Sequence, residues 1–469
     1  MEAVAVVSSM TAVTAPGQRQ LAGFRRGWYG CLGRWADVLF ELTDAVLCSG
    51  GPVTSLPRLS LEPVMGRGHG SGYAALADGQ VDEARLEGLL ARFAPGSWPL
   101  VFAVDATTWP RAAAGTSPGR GLCYQPSRAG CGPPVVAGWG WQLVARLNFD
   151  RDSWTWPMSW RWLDPRQDAA AATIGQVRQV AGRLDAAGPV PWFCFDAGSA
   201  YDPATLTHGL AGQRAQLLIR LRKNRRFLTD PPPRRPGQTG RPRRHGHCFD
   251  LKDEATWGAP DTRYRVTDPV YGQVAVQAWA GLHPRITRAP RWAGHGQLPI
   301  VRGWVIRVQV SQLPKPGPAR ASVLWLWWAG PPGLAPDLDT AWRAYVHRFD
   351  IEHTIRFTKQ TLGWTVPAVR TPAQATRWTA IITAALAQLV LARPVAADHR
   401  LPWERPRPAH RLTPGRIRRD FHRVRSALPV IANPRKPCRA GPGRPRGPAR
   451  TRAKQHPVIR KNTPQPAKR

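Results

Sequence analysis

Residues 99–109 read PLVFAVDATTW, and their reading decides the fold. An apolar run rich in β-branched and aromatic residues ends abruptly at Asp105, which predicts a buried strand carrying a carboxylate at its end. Upstream, from 21 to 95, the pattern is helical, with apolar clusters such as WADVLFELTDAVL and LEGLLARF interrupted by a Gly- and Pro-bearing stretch. Downstream the strand pattern continues through VVAGWGWQLVARLNF (135–149) and WTWPMSWRWL (154–163). A helix is expected over 168–187. PWFCFDAGSAYD (191–202) then reads as a short buried strand ending at Asp196, Pro203 opens the next helix, and QLLIRLRKN (216–224) is a further strand. Three strands, helix, strand, helix, strand describes a mixed α/β sheet flanked by helices.

Beyond 224 the rhythm breaks. A basic, Pro-rich loop leads into the strand-like runs QVAVQAWAGL, IVRGWVIRVQV and SVLWLWWAG, a β-rich insertion. TAIITAALAQLVLA (379–392) is too short to span a bilayer and reads as a core helix. From 401 to 469 there are 20 Lys or Arg and 2 Asp or Glu, with many Pro and Gly and few large apolar residues. Such a composition cannot build a core and suits a flexible arm for phosphate contacts.

The whole chain carries 66 Lys and Arg against 30 Asp and Glu, a net charge of +36. That field attracts polyanions, nucleic acid above all. No amphipathic basic helix or lipid signal marks a membrane surface as the partner, and the N-terminus lacks the features of a signal peptide. A cytoplasmic, nucleoid-associated protein is the expectation. Seven cysteines are scattered without a disulfide framework. His245, His247 and Cys248 lie close in sequence, but they have no matching second half for a zinc site.

Acidic residues are scarce, so those at the ends of apolar strands are informative. Ligand groups collect at strand ends in open α/β sheets. A carboxylate behind an apolar run is costly to leave unpaired. Each of Asp105 and Asp196 reads equally well as a cap or turn residue. A third acid lies in AYVHRFDIEHTIRFTKQTLGW (344–364), which reads as one helix. At about 100° per residue, Tyr345, Arg348, Glu352 and Lys359 fall within roughly 60° of one another. This stripe is either a solvated face with an Arg348–Glu352 pair or a ligand-bearing face on which cations hold phosphates. Three converging carboxylates repel one another, and a pair of Mg²⁺ ions would neutralise them with the hard oxygen ligands such ions prefer.

The spacing Tyr-x2-Arg-x3-Glu-x6-Lys, realised by Tyr345, Arg348, Glu352 and Lys359, resembles the signature on the glutamate helix of DDE-type bacterial insertion-sequence transposases. VFAVDATTWPR looks like the first-aspartate strand of that family and FDAGSAYD like the second. Many relatives carry a second acid directly after the first aspartate, where this chain has Ala106. Asp202 is the rival for the second position, but Asp196 ends the apolar run.

The resemblance covers about 95–395 and implies an α/β, RNase H-like mixed-sheet catalytic core. The expected organisation is a disordered 1–20, a helical N-terminal domain over 21–95, and core segments at 96–224 and 336–395. A β-rich insertion fills 225–335 and a disordered basic C-terminal tail runs over 396–469. Asp105, Asp196 and Glu352 would be catalytic and would bind two Mg²⁺ ions, with Mn²⁺ able to substitute. Tyr345, Arg348 and Lys359 would contact DNA phosphates. The implied activity is nicking of transposon ends and joining of the 3′-hydroxyl to target DNA, by a homodimer on paired ends of double-stranded DNA. A descendant that only binds DNA, or a metal-dependent nuclease without strand transfer, remain the alternatives.

Arg120, in the Gly-bearing SPGRG loop, and Arg222 and Lys223, in LRKNRRF, are further candidate DNA contacts. Trp279, Trp292 and Trp304 are candidate base-stacking residues in the insertion, with core packing the simpler role. No Walker-type phosphate loop is present, so no nucleotide cofactor is expected.

Overall fold

A computed structural model describes residues 16–124, 135–150, 152–198, 201–287, 290–292, 294–314, 323–435, 447 and 453–460. Five helices come first: α1 (Pro16–Tyr29), α2 (Ala36–Cys48), α3 (Leu56–Leu59), α4 (His69–Asp78) and α5 (Glu83–Phe93). The chain then turns to strands β1 (Val101–Pro110), β2 (Gly121–Tyr124), β3 (Val135–Leu147) and β4 (Thr155–Leu163). Next come α6 (Ala169–Ala181), β5 (Trp192–Phe195), α7 (Pro203–Gly209) and β6 (Gln216–Leu221). Asp202 caps α7 by accepting from the Thr205 N–H, the role its position before Pro203 suggests.

Strands β7 (Arg226–Leu228), β8 (Cys248–Asp250), β9 (Thr262–Asp268), β10 (Gly272–Leu282), β11 (Gly303–Val310) and β12 (Val323–Ala329) follow. Four helices close the order: α8 (Leu338–Arg348), α9 (Asp350–Gln360), α10 (Pro372–Ala392) and α11 (Pro414–Ser426).

Among the described residues, ten strands form one mixed sheet in the order β2-β3-β1-β5-β6-β12-β11-β10-β9, with β4 also paired to β3. β1 runs parallel to β5 and β5 parallel to β6, while β3 is antiparallel to β1 and β4 to β3. All four residues of β5 are buried, as expected of an interior parallel strand covered on both faces. This architecture is consistent with an RNase H-like fold. The strands expected as an insertion do not stand apart: β12 pairs antiparallel with β6 and carries β11, β10 and β9 outward on the same sheet.

The chain divides into two compact units. One comprises 1–93, 357–369 and 373–450. Its interior holds a buried ionic knot. Arg25 grips Asp44 with both terminal nitrogens, at 2.5 and 2.8 Å, and donates to Gln388 at 2.7 Å. Arg425 reaches the same carboxylate at 2.8 Å. Two guanidiniums thus satisfy a carboxylate that burial would otherwise penalise, and the Gln388 amide oxygen accepts from one of them. α10 is long and apolar enough to cross a membrane by composition, but 89% of its apolar window is buried within the protein, which makes it a core helix.

Two parts of the stretch expected as a flexible tail are ordered. α11 buries Ile417, Phe421 and Val424, an i, i+4, i+7 stripe that the surrounding arginines conceal from a composition count. Several of those arginines are internally paired: Arg416 with Asp398 at 2.9 Å, Arg419 with Glu404 at 2.7 Å and Arg423 with Asp420 at 2.5 Å. At the N-terminus, Pro16 already opens α1, and residues 1–15 lie outside the described residues.

The other unit comprises 94–356, 370–372 and 451–469 and contains the sheet. Within it, residues 456–459 dock onto the loop and strand that follow β1. Ile459 N–H donates to the Arg120 carbonyl at 2.8 Å, and Ile459 bridges Gly121 in parallel.

Candidate active site

β1 and β5 are neighbours, and their last paired residues are Val104 and Phe195. The next residue on each strand is an aspartate, Asp105 and Asp196. Parallel neighbours about 4.8 Å apart therefore deliver two carboxylates side by side, Asp196 just past the end of β5 and Asp105 midway along β1, which runs on to Pro110 and does not end at the acid as expected. Each carboxylate accepts from the N–H of the residue that follows it, Ala106 at 2.8 Å and Ala197 at 2.7 Å.

The third acid arrives on a helix. α8 packs across β1, β3 and β5 and ends at Arg348. The segment expected as one helix over 344–364 is two, broken at Phe349. At the break Phe149 stacks on His347 at 5.1 Å, and His347 Nδ1 bonds the Asp350 carboxylate at 2.9 Å. α9 then begins, and a buried Thr155–Thr354 hydrogen bond of 2.8 Å ties it to β4. Glu352 lies between these anchors.

Arg348 is the hub. It is 4% exposed. Its Nη2 lies 3.4 Å from Asp196 Oδ2 and 3.2 Å from Glu352 Oε1. Its guanidinium stands over the Tyr345 ring at 5.5 Å, and the Tyr345 hydroxyl donates to Asp196 at 3.4 Å. Arg220, on β6, also reaches Asp196 at 3.4 Å.

The three acids respond differently to these surroundings. Burial raises Asp105 from its usual 3.8 to about 6. The nearby Arg348 opposes that rise, while the charges of Glu352 and Asp196 add to it. Burial also pushes Asp196 upward, but Arg348, the Ala197 N–H and Arg220 outweigh it and hold the carboxyl below its ordinary value. Desolvation, followed by the charge of Asp196, raises the Tyr345 phenol to about 12 and keeps it protonated.

The donor set, three carboxylates from separate parts of the chain, is chemically suited to a hard divalent cation. As they stand, no three His, Cys, Asp or Glu side chains among the described residues gather closely enough to hold a metal ion. The Arg348 guanidinium bridges two of the acids. Its Nε and Nη1 are buried with no hydrogen-bond partner among the described residues.

The structure thus brings together Asp105, Asp196, Glu352, Tyr345 and Arg348. Lys359 sits near the end of α9, in the first compact unit, with its ammonium 5.7 Å from the Trp364 ring. Arg222 and Lys223 are exposed in the turn after β6. Arg222 lines a cavity of about 410 Å³ with Gly198, Tyr201, Arg220 and Arg225.

Arg120 is turned into the protein. It is 5% exposed, and its guanidinium donates to the carbonyls of Ser117 (3.1 Å), Arg111 (3.2 Å), Gly115 (3.3 Å) and His456 (2.7 Å). These bonds clamp the loop after β1 and tie it to residue 456. Of the candidate stacking residues, Trp279 packs in a cluster with Phe249, Trp257 and Trp325. Trp292 is buried beside His208. Trp304 stands edge-on to Trp328. His245 meets His283 at 2.9 Å, and no metal-ligand group forms around them among the described residues.

Arg220 and Thr354 were missed by sequence reasoning. Arg220 carries a signal: it is the one charged residue within QLLIRL, and the strand's burial pattern leaves that position alone exposed. Thr354 carries none, because a helical threonine looks the same whether or not it has a partner across the fold.

A family model described as DDE superfamily endonuclease matches residues 28–285. The match covers more than half of the chain and includes both aspartates, while Glu352 lies beyond it. No curated protein matches the chain.

Proposed function

The chain belongs to the DDE superfamily endonucleases, a family that acts on DNA and generally uses divalent metals, and from that premise we propose that it is a transposase of the insertion-sequence kind. In this reading it nicks transposon ends by hydrolysis and joins the released 3′-hydroxyl to target DNA by transesterification, with no covalent protein–DNA intermediate. It acts as a homodimer on paired ends, at the nucleoid. The observation that supports this best is the Arg348 bridge between Asp196 and Glu352, with Asp105 electrostatically coupled to both acids.

Asp105, Asp196 and Glu352 would hold two Mg²⁺ ions, or Mn²⁺ in their place. When bound, such a pair activates a water or hydroxyl and stabilises the leaving oxygen. The chain's own residues supply the rest. The Tyr345 phenol stays protonated and donates. Arg348 offers a planar fork suited to a phosphate, and Lys359 supplies a point charge. Arg222 and Lys223 extend the cationic surface along the turn after β6. The strands β9–β12 constitute the β-rich insertion of this subgroup, carried here on the core sheet.

The test uses purified protein with DNA bearing the sequences that flank its gene. Nicks followed by joined products in Mg²⁺, and neither in EDTA, are expected. Nicks without joined products would mark a nuclease, and binding without cutting in any metal would mark a DNA-binding descendant.

A further inference from the structure

We infer that Arg348 is an internal counter-ion that holds the acids of the metal-free site and surrenders that place to a divalent cation, turning its guanidinium toward the substrate phosphate. The inference rests on the function proposed above and deepens it.

Three observations carry it. The guanidinium is buried and contacts carboxylates from segments 156 residues apart, Asp196 and Glu352. It therefore occupies space that a shared cation needs, and no three ligand groups converge among the described residues. The grip is also loose. Charge-assisted N–H···O⁻ bonds are normally about 2.7–2.9 Å, whereas one nitrogen here serves two acids at 3.4 and 3.2 Å. Finally, Nε and Nη1 are buried and have no hydrogen-bond partner among the described residues. Unmade hydrogen bonds on a buried charged group are unfavourable, so this conformer rests on one long Nη2 hydrogen bond to Glu352, an ion pair with Asp196 and the Tyr345 ring beside the guanidinium. The contrast lies in the same protein: buried Arg25 grips Asp44 bidentately at 2.5 and 2.8 Å, and buried Arg120 spends its nitrogens on carbonyls.

A divalent cation at the acids would repel the guanidinium and replace its charge. The displaced fork then has two or more donors to offer, and the anion that the reaction brings is a DNA phosphate. Exchange would make metal loading and DNA loading mutually reinforcing. Arg348 is in this sense a positioning residue as well as a phosphate contact.

Calcium is the probe, because it takes oxygen ligands and its binding is read without turnover. Calorimetric titration of the full-length protein should show Arg348→Met binding Ca²⁺ at least about tenfold more tightly than wild type, since a unit charge a few ångströms away is removed. Arg348→Lys, which keeps the charge, should stay near wild type. In EDTA the Met variant should melt lower than wild type, and Ca²⁺ should raise its Tm by more. A folded Arg348→Met that binds Ca²⁺ no more tightly than wild type overturns the exchange and leaves the proposed function standing. No Ca²⁺, Mg²⁺ or Mn²⁺ binding by any of these proteins overturns both. Wild-type protein gives a reading that needs no folded variant: saturating Ca²⁺ should move the Arg348 side-chain ¹⁵Nε resonance, and an unmoved resonance overturns the exchange.

Discussion

Burial holds Asp105 at a cost whenever its carboxyl is ionised. Burial, against the pull of Arg348, lifts its carboxyl from 3.8 to about 6. The sign follows from linkage. The unfolded chain ionises this group at lower pH than the folded one, so stability is full below about 3.8 and declines as pH rises through about 6. The shift corresponds to at most about 3 kcal/mol. Asp105→Asn should therefore raise the Tm of the metal-free protein above pH 6 and leave it unchanged below pH 4, by thermal melts in EDTA across that range. A variant equally stable at both pH values would remove the desolvation argument. Asp105 and Asp196 stood out in the sequence because each directly follows an apolar run, and the structure sets them on neighbouring strands. The role of Arg120 was not legible: an arginine among glycines looks the same whether it meets phosphates or backbone carbonyls, and only the docking of residues 456–459 decides between them.

At the scale of elements, β1, β3, β4, β5 and β6 were readable from alternation and apolar runs. The break between α8 and α9 was not. Both sides carry a helical pattern, and neither Gly nor Pro marks Phe349. One contact at the break comes from elsewhere in the fold, the Phe149–His347 stack, and the other is local, the His347–Asp350 bond across the break itself. The end of α9 is marked plainly by glycine. Gly363 has φ +67°, and a Cβ there would lie 2.8 Å from Val53. Gly363→Ala combines left-handed strain with overpacking, and should cost about 2–4 kcal/mol in a urea unfolding midpoint. A loss under about 0.5 kcal/mol would show that the turn relaxes freely.

The whole molecule carries +36, but that charge is not all available to a polyanion. Arg416, Arg419, Arg423 and Arg425 pair with acids of their own unit, and α11 has an apolar face hidden within a composition that reads as disordered. The continuation of the core sheet through β12 to β9 was equally hidden, because strand patterns identify strands but not their partners across more than a hundred residues. At long range the sequence suggested that Asp196 and Glu352 lie together, and in the structure both contact Arg348.

The account stands on those acids cutting DNA together. The most direct test compares Glu352→Gln with wild type in Mg²⁺-dependent nicking of DNA that carries the gene's flanking ends, with DNA affinity measured alongside. The account predicts retained binding and a loss of nicking of at least about a hundredfold, since removing an outer-shell partner of a metal site alone costs roughly 10–100-fold. Nicking at the wild-type rate by Glu352→Gln would contradict it.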